Sequence, residues 1–145
     1  MSYLLDTNVV SQLTKPAPSA NVLRWLVTIR ERDLFISAIT VRELVYGVAK
    51  AKRENDAALQ VFSDRIETLI ASYEDRILPI DARVARTWAT MLAQSNKHID
   101  DTGLAATAAV HGLVVVTRNV AHLRGRDVPV LDPFLSPPAI VLPAI

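Results

Sequence analysis

The chain contains no cysteine. Disulfides, thiolate nucleophiles and cysteine-ligated zinc or iron–sulfur sites are therefore excluded, and a reducing cytosol is permitted without being required. Glycine is scarce and scattered, at positions 47, 103, 112 and 125, so there is no G-x-x-x-x-G-K-[ST] loop to cradle a nucleotide phosphate. No window approaches the roughly 18 uninterrupted apolar residues of a membrane helix, and the opening MSYLLDTN lacks a basic region followed by an apolar one. The expectation is a soluble, cytoplasmic protein without a membrane partner. There is little excess charge: 16 Lys and Arg against 15 Asp and Glu is far from the balance of a protein that coats nucleic acid non-specifically. Aromatics are few, with no evident base-stacking platform. His98, His111 and His122 lack an H-E-x-x-H spacing, and no G-x-S-x-G elbow is present, which disfavours a zincin or an esterase-like triad. His98 reads as a solvated loop residue and His111, beside Gly112, as a residue stabilising a helix C-terminus.

What the chain does have is apolar residue enough for one core: 145 residues, 50% of them hydrophobic, suit one domain without staples. Short apolar runs at 3–5, 34–36, 77–80 and 113–116 read as buried strands, with a last edge strand at 128–131 limited by Pro129. Between them, helical spacing is expected at 9–14, 21–32, from Val41 through Val48, at 55–72, from an Asp81 cap to about Gln94, and at 101–111 before a Gly112 C-cap. The last of these is rich in small residues and can pack close to its neighbour. Alternating strands and helices imply a mostly parallel sheet covered on both faces and joined by right-handed crossovers. Residues 136–145 hold three prolines and are expected to form an extended or disordered tail after a single domain at 1–135.

In an open parallel sheet ligands bind beyond the carboxyl ends of the strands. Asp6 ends the first strand, the Thr117-Arg118-Asn119 run follows the fourth, Glu43 falls early in the helix after the second, and Asp101 opens the helix leading into the fourth. Taken singly, each acid has an ordinary structural reading: Asp6 as the cap of a turn, Glu43 as half of a Thr40-x-x-Glu43 capping box, and Asp101 or Asp100 as a helix N-cap. Taken together, three carboxylates in one crevice repel unless protonated or joined by a cation. Hard oxygen donors in that number point to magnesium or manganese, and such ions can drive phosphoryl displacement without a covalent intermediate.

The segments LLDTNVVSQL (4–13), TVRELVYG (40–47), DTGLAATAAVHGL (101–113) and VVVTRNVAHL (114–123) resemble, in order and spacing, those of the PIN-domain family, and VapC-type toxins in particular. The resemblance runs from Tyr3 to about Phe134. It implies an α/β fold, a three-layer α/β/α sandwich around a mostly parallel sheet. It also implies an endoribonuclease that hydrolyses RNA with one or two Mg²⁺ or Mn²⁺ ions per active site, and commonly a homodimer inhibited by a cognate VapB-like antitoxin. Residue by residue it matches Asp6, Glu43 and Asp101 to the family's acidic triad, Asn8 to its supporting amide, and Thr117 and Asn119 to the polar pair after the fourth strand. Asp101 rather than Asp100 aligns, three residues before Leu104. Where many members carry a fourth acid, this chain has His122, which binds a transition metal or a phosphate but adds no negative charge for a second Mg²⁺.

Arg42, Arg118, Arg124, Arg126 and Lys15 are expected to frame a basic rim that holds RNA through its phosphates. Two other readings compete: a catalytically impaired domain that binds RNA or protein, motivated by His122, and a receiver-like phosphatase, which would need a Lys after the fourth strand that is not there.

Overall fold

A computed structural model describes residues 1–51 and 56–143. Among these, the strands are β1 (Tyr3–Leu5), β2 (Leu34–Ser37), β3 (Ile77–Leu78), β4 (Val114–Val116), β5 (Val130–Asp132) and β6 (Ala139–Val141). The helices are α1 (Thr7–Val10), α2 (Ala20–Leu26), α3 (Ala38–Ala51), α4 (Asp56–Tyr73), α5 (Ala82–Gln94) and α6 (Ile99–His111). The sheet order is β3-β2-β1-β4-β5-β6. Every pairing is parallel except that of β6, which runs antiparallel to β5. No helix of the described residues is long and apolar enough to cross a membrane.

Successive side chains of each strand point to opposite faces, which divides the core in two. Leu5, Val116 and Leu131 pack with Val9, Val22, Leu44, Ile66 and Leu69, placing α1 to α4 on one face. Leu4, Val115 and Val130 pack with Leu104, Ala105 and Ala108 of α6, and Trp88 and Met91 of α5 lie against them. The result is the expected α/β/α sandwich, with strands apolar on both faces as a buried parallel sheet requires. Where α6 crosses α5 the approach is close: a Cβ built on Gly103 would stand 2.5 Å from Ile39 Cδ1 and 2.8 Å from Trp88 Cζ2. Gly112, at φ +66°, closes α6 in the left-handed conformation, the role expected of it.

Several boundaries differ from the sequence pattern. The helix expected at 9–14 begins at Thr7, because Asp6 caps it, and tightens into a 3-10 turn at Ser11–Thr14. The helix expected at 21–32 stops at Leu26. There the amides of Thr28 and Ile29 reach back three residues instead of four, and the Thr28 hydroxyl takes the Trp25 carbonyl, a back-bonding that competes with a regular helical turn. Asn55, the expected first residue of the longest helix, lies outside the described residues. The segment read as an unassigned tail supplies β6, so β5 is an interior strand rather than the expected edge. Pro129 is tolerated because it precedes β5 and contributes only its carbonyl, which accepts from Val115 N at 2.9 Å. The side chains of β6 are exposed, which is why no alternation marked it as a strand.

Candidate active site

The strand order changes direction of growth between β1 and β4, the switch point at which an open α/β sheet leaves a crevice. Asp6 and Thr117, the residues just beyond these two strands, meet there, and Asp6 N–H donates to the Val116 carbonyl at 2.9 Å. Asp6 is 5% exposed. Its Oδ1 accepts from the Thr7 backbone N–H at 2.6 Å, and its Oδ2 accepts from the Thr117 hydroxyl at 2.7 Å and from Asn8 Nδ2 at 3.3 Å. Asn8 Oδ1 in turn accepts from the Arg118 N–H, and Thr117 Oγ1 from the Asn119 N–H. Asp6 thus uses one oxygen to hold the helix while the other faces the polar clasp of Thr117 and Asn8. Burial raises the Asp6 carboxyl above its ordinary pKa; the Thr117 hydrogen bond opposes this and the Asp101 charge adds to it.

Glu43 is reached from α3. The capping-box reading fails, because α3 starts at Ala38 and Ser37 Oγ takes the capping bond from Ile39 N at 3.0 Å. Thr40 is already inside the helix, its buried hydroxyl without a hydrogen-bond partner among the described residues, and Glu43 sits in the second turn instead of the first. Freed from capping, Glu43 is half-buried, and burial is the main cause of its raised pKa. The Thr7 hydroxyl opposes that rise and the Asp6 charge reinforces it. Thr7 Oγ1 stays buried and closes no hydrogen bond of normal geometry among the described residues.

Asp101 is the third residue of α6, not its cap; His98 holds the cap position, at φ +51° and with no side-chain capping bond. Asp100 points to Arg42, with which it forms an exposed ion pair. Asp101 Oδ2 instead lies 2.7 Å from His122 Nδ1. The His122 ring, on the 3-10 turn Val120–Leu123, stacks on His98 with centroids 3.8 Å apart and planes within 8°. A crevice of about 640 Å³ is walled by Glu43, Asp100, Asp101 and Asn119 together with these two imidazoles. Among the described residues, the only three His or carboxylate donors within 4.8 Å of one another belong to His98, Asp101 and His122. The Asp6 carboxyl feels the charge of Asp101, and Glu43 feels those of Asp6 and Asp100; among the described residues, Asp6, Glu43 and Asp101 do not form a cluster of contacting donors.

The basic rim is partly corrected. Arg126 is 5% exposed and its guanidinium donates to the carbonyls of Met91 and Ser95 at 2.6 Å and of Lys97 at 3.3 Å. It satisfies the carbonyls that end α5 and is not available to RNA. Arg42 is engaged with Asp100. Arg118 lies exposed over the Phe134 ring, 3.9 Å from its centroid, beside Asn119 at the mouth of the crevice; Arg124 and Lys15 are exposed away from its walls. His98 was missed as a site residue, because only the fold brings it to His122, 24 positions along the chain.

The model of the PIN domain matches residues 3–125, and the chain belongs to this family. It is 36% identical over 140 residues to Toxin FitB of Neisseria gonorrhoeae, spanning 90% of this chain and 97% of that one. It is 35% identical over 140 residues to VapC ribonuclease Y4jK of Sinorhizobium fredii, spanning 90% and 96%. The crystal structure of FitAcB from Neisseria gonorrhoeae superposes with a TM-score of 0.82 at 36% identity, covering 91% of this chain and 98% of that chain. VapBC-5 of Mycobacterium tuberculosis, a member of the VapBC family of toxin-antitoxin systems, superposes at 0.56 with 26% identity, covering 86% and 92%.

Proposed function

We propose that this chain is a metal-dependent endoribonuclease of the VapC kind, acting as the toxin of a toxin–antitoxin pair. The observation that supports this reading is that Asp6, just beyond β1 at the β1/β4 switch point, lies within electrostatic reach of Glu43 on α3 and of Asp101 on α6. Two of the three are buried enough that the ionised form is disfavoured, a cost that a divalent cation removes. The donors fit Mg²⁺ or Mn²⁺: carboxylate oxygens in a polar crevice, beside a buried Thr7 hydroxyl that closes no hydrogen bond of normal geometry among the described residues. Asp6, Asp101 and Glu43 would hold the ion. When bound, it supplies the Lewis acidity that turns water into a nucleophile and spreads the charge of a phosphodiester under attack.

The chain's own groups do the positioning. Thr117, Asn8 and the Thr7 N–H hold Asp6 in one orientation, and Trp88 Nε1, donating to the Ile99 carbonyl at 3.0 Å, ties down the first turn of α6 that carries Asp101. We assign the RNA backbone to the side of Asn119, which lines the crevice, where the neighbouring exposed Arg118 offers a guanidinium to phosphate. The names of the relatives support a ribonuclease, a toxin role and a VapB-like antitoxin as partner. Val27, Tyr46 and Val61, exposed at 82%, 63% and 51%, give apolar surface for the antitoxin and for a second copy of the chain in a homodimer.

The test is cleavage of total cellular RNA by purified protein, wild type against Asp6→Asn, in Mg²⁺, Mn²⁺ and EDTA. Cutting at discrete sites that needs the cation and is lost in the variant is the expected result. Normal metal binding without cleavage of any RNA pool would replace the nuclease by a binding module.

A further inference from the structure

We propose that His98, Asp101 and His122 form a site for a divalent transition cation of the zinc–cobalt class, at the edge of the crevice and sharing Asp101 with the carboxylate centre. The donor set separates this site from the rest of the crevice. Imidazole nitrogen suits zinc, cobalt and nickel, whereas magnesium takes oxygen almost exclusively. Two imidazoles and one carboxylate therefore favour a different ion from the one that Asp6 and Glu43 would hold.

The distances suit it as well. One ligand atom from each residue falls within 4.8 Å of the other two, and bonds of about 2.0–2.2 Å in a tetrahedral site separate neighbouring ligands by roughly 3.4 Å. His122 Nδ1 and Asp101 Oδ2, at 2.7 Å, share a proton that the cation replaces. The stacked rings must reorient by tens of degrees for both lone pairs to meet at one ion. His98 has the freedom to do so, because its side chain is exposed, while its backbone is held: its carbonyl accepts from both the N–H and the hydroxyl of Thr102 at 2.9 and 2.8 Å. Arg126 grips the carbonyls of Ser95 and Lys97 just before it. The fourth position is left to solvent or to a substrate oxygen, the open form that a three-ligand zinc site takes.

A consequence follows that rests on the nuclease reading above. A zinc ion on this cluster takes Asp101 from the carboxylate centre, so zinc antagonises Mg²⁺-dependent cleavage.

The primary test needs no RNA. Tag-free full-length protein is titrated with Zn²⁺ by calorimetry and with Co²⁺ by visible absorption, as wild type, His98→Asn, His122→Ala and His111→Ala. Thermal melts in EDTA verify folding; Asn is chosen at position 98 because it tolerates positive φ. The expected result is saturable binding in the wild type with a tetrahedral cobalt spectrum, at least about tenfold weaker in His98→Asn and in His122→Ala and unchanged in His111→Ala. No saturable binding, or equal affinity in a folded His98→Asn variant, overturns the site. In a second arm Zn²⁺ is titrated into the Mg²⁺-dependent cleavage reaction, where His98→Asn should be at least about tenfold less sensitive to inhibition; equal sensitivity overturns the antagonism. Zinc binding by a protein that cuts no RNA would sink only the nuclease reading, and cleavage without zinc binding would sink only the metal site.

Discussion

The Thr117 hydroxyl donates to Asp6 Oδ2 at 2.7 Å and accepts from the Asn119 backbone N–H at 2.9 Å. One buried side chain thus joins the end of β1 to the loop after β4. Thr117→Val keeps the shape and removes the hydroxyl, leaving Asp6 Oδ2 with only the longer Asn8 contact and the Asn119 N–H without its acceptor. The expected cost is about 1–3 kcal/mol of stability and a 10–100-fold fall in RNA cleavage, the usual effect of losing a group that orients a metal ligand. Denaturant unfolding and cleavage rates measure both; Thr117→Ser, which keeps the hydroxyl, should recover most of the activity. A valine variant as active as wild type would reduce Thr117 to packing.

Asp6 carries an opposite pair of effects. Its folded-state pKa, like that of Glu43, lies above the unfolded value, so in the absence of divalent cations the folded protein binds more protons than the unfolded chain between the two values. Stability of the metal-free protein should therefore be greatest below the unfolded carboxylate pKa of 3.8 for Asp6 and decline as pH rises through the raised folded one, as far as this pair is concerned. Asp6→Asn keeps an acceptor for the Thr7 N–H and removes the buried charge. The variant should melt higher than wild type in EDTA at pH 7, with a flatter pH profile, and should lose at least about a hundredfold in cleavage, as expected when several kcal/mol of metal-mediated stabilisation disappear. A variant less stable than wild type in EDTA would mean that hydrogen bonding by the carboxylate outweighs its desolvation.

The parts of the molecule that could be read in advance are those fixed by local chemistry. A short apolar run stopped by Asp6, a helix closed by Gly112 and a cap at Asp81 each follow from a few neighbouring residues, and the strand-end placement of Asp6 and Thr117 follows from them. Glu43 was harder, because Thr40-x-x-Glu43 satisfies a capping pattern that Ser37 pre-empts by starting the helix three residues earlier. Arg126 and His98 read otherwise in the sequence, as part of a basic rim and as a solvated loop residue. A guanidinium reads the same in sequence whether it meets phosphate or the carbonyls at the end of α5, and the stacking of His98 on His122 exists only after α6 has docked. The exposed strand β6 left no periodic signal because nothing covers its side chains.

Arg126 is a structural residue, and that makes a sharp contrast with Arg118 testable. Arg126→Met retains the apolar stem but abandons three carbonyls at the end of α5 and in the following loop. The expected loss is roughly 2–3 kcal/mol, since hydrogen bonds to a charged donor exceed neutral ones. Arg118→Ala gives up a surface contact with the Phe134 ring, about 0.5–1 kcal/mol, and should instead weaken RNA binding and lower its salt dependence. Measuring unfolding and RNA affinity on both variants separates the two roles. If Arg126→Met kept full stability while losing RNA affinity, Arg126 would belong to the rim after all.

Gly103 sets the distance between α6 and its neighbours, and through it the position of Asp101 two residues away. Two effects compete in Gly103→Ala. Helix propensity favours alanine by about 1 kcal/mol, but the new methyl would enter the space of Ile39 Cδ1 and the Trp88 ring, both closer than 3 Å to the added carbon. Ile39 can turn its terminal methyl; the indole of Trp88 is rigid and is held by its bond to the Ile99 carbonyl, so α6 itself must move. Overpacking of this kind costs about 1–3 kcal/mol and should outweigh the propensity gain, lowering both Tm and cleavage. Ile39→Val removes the nearest of the three clashing atoms and, combined with Gly103→Ala, should return part of the stability lost. A Gly103→Ala protein that melts higher than wild type would show that propensity dominates and that α5 and α6 have more room between them than their contact distances imply.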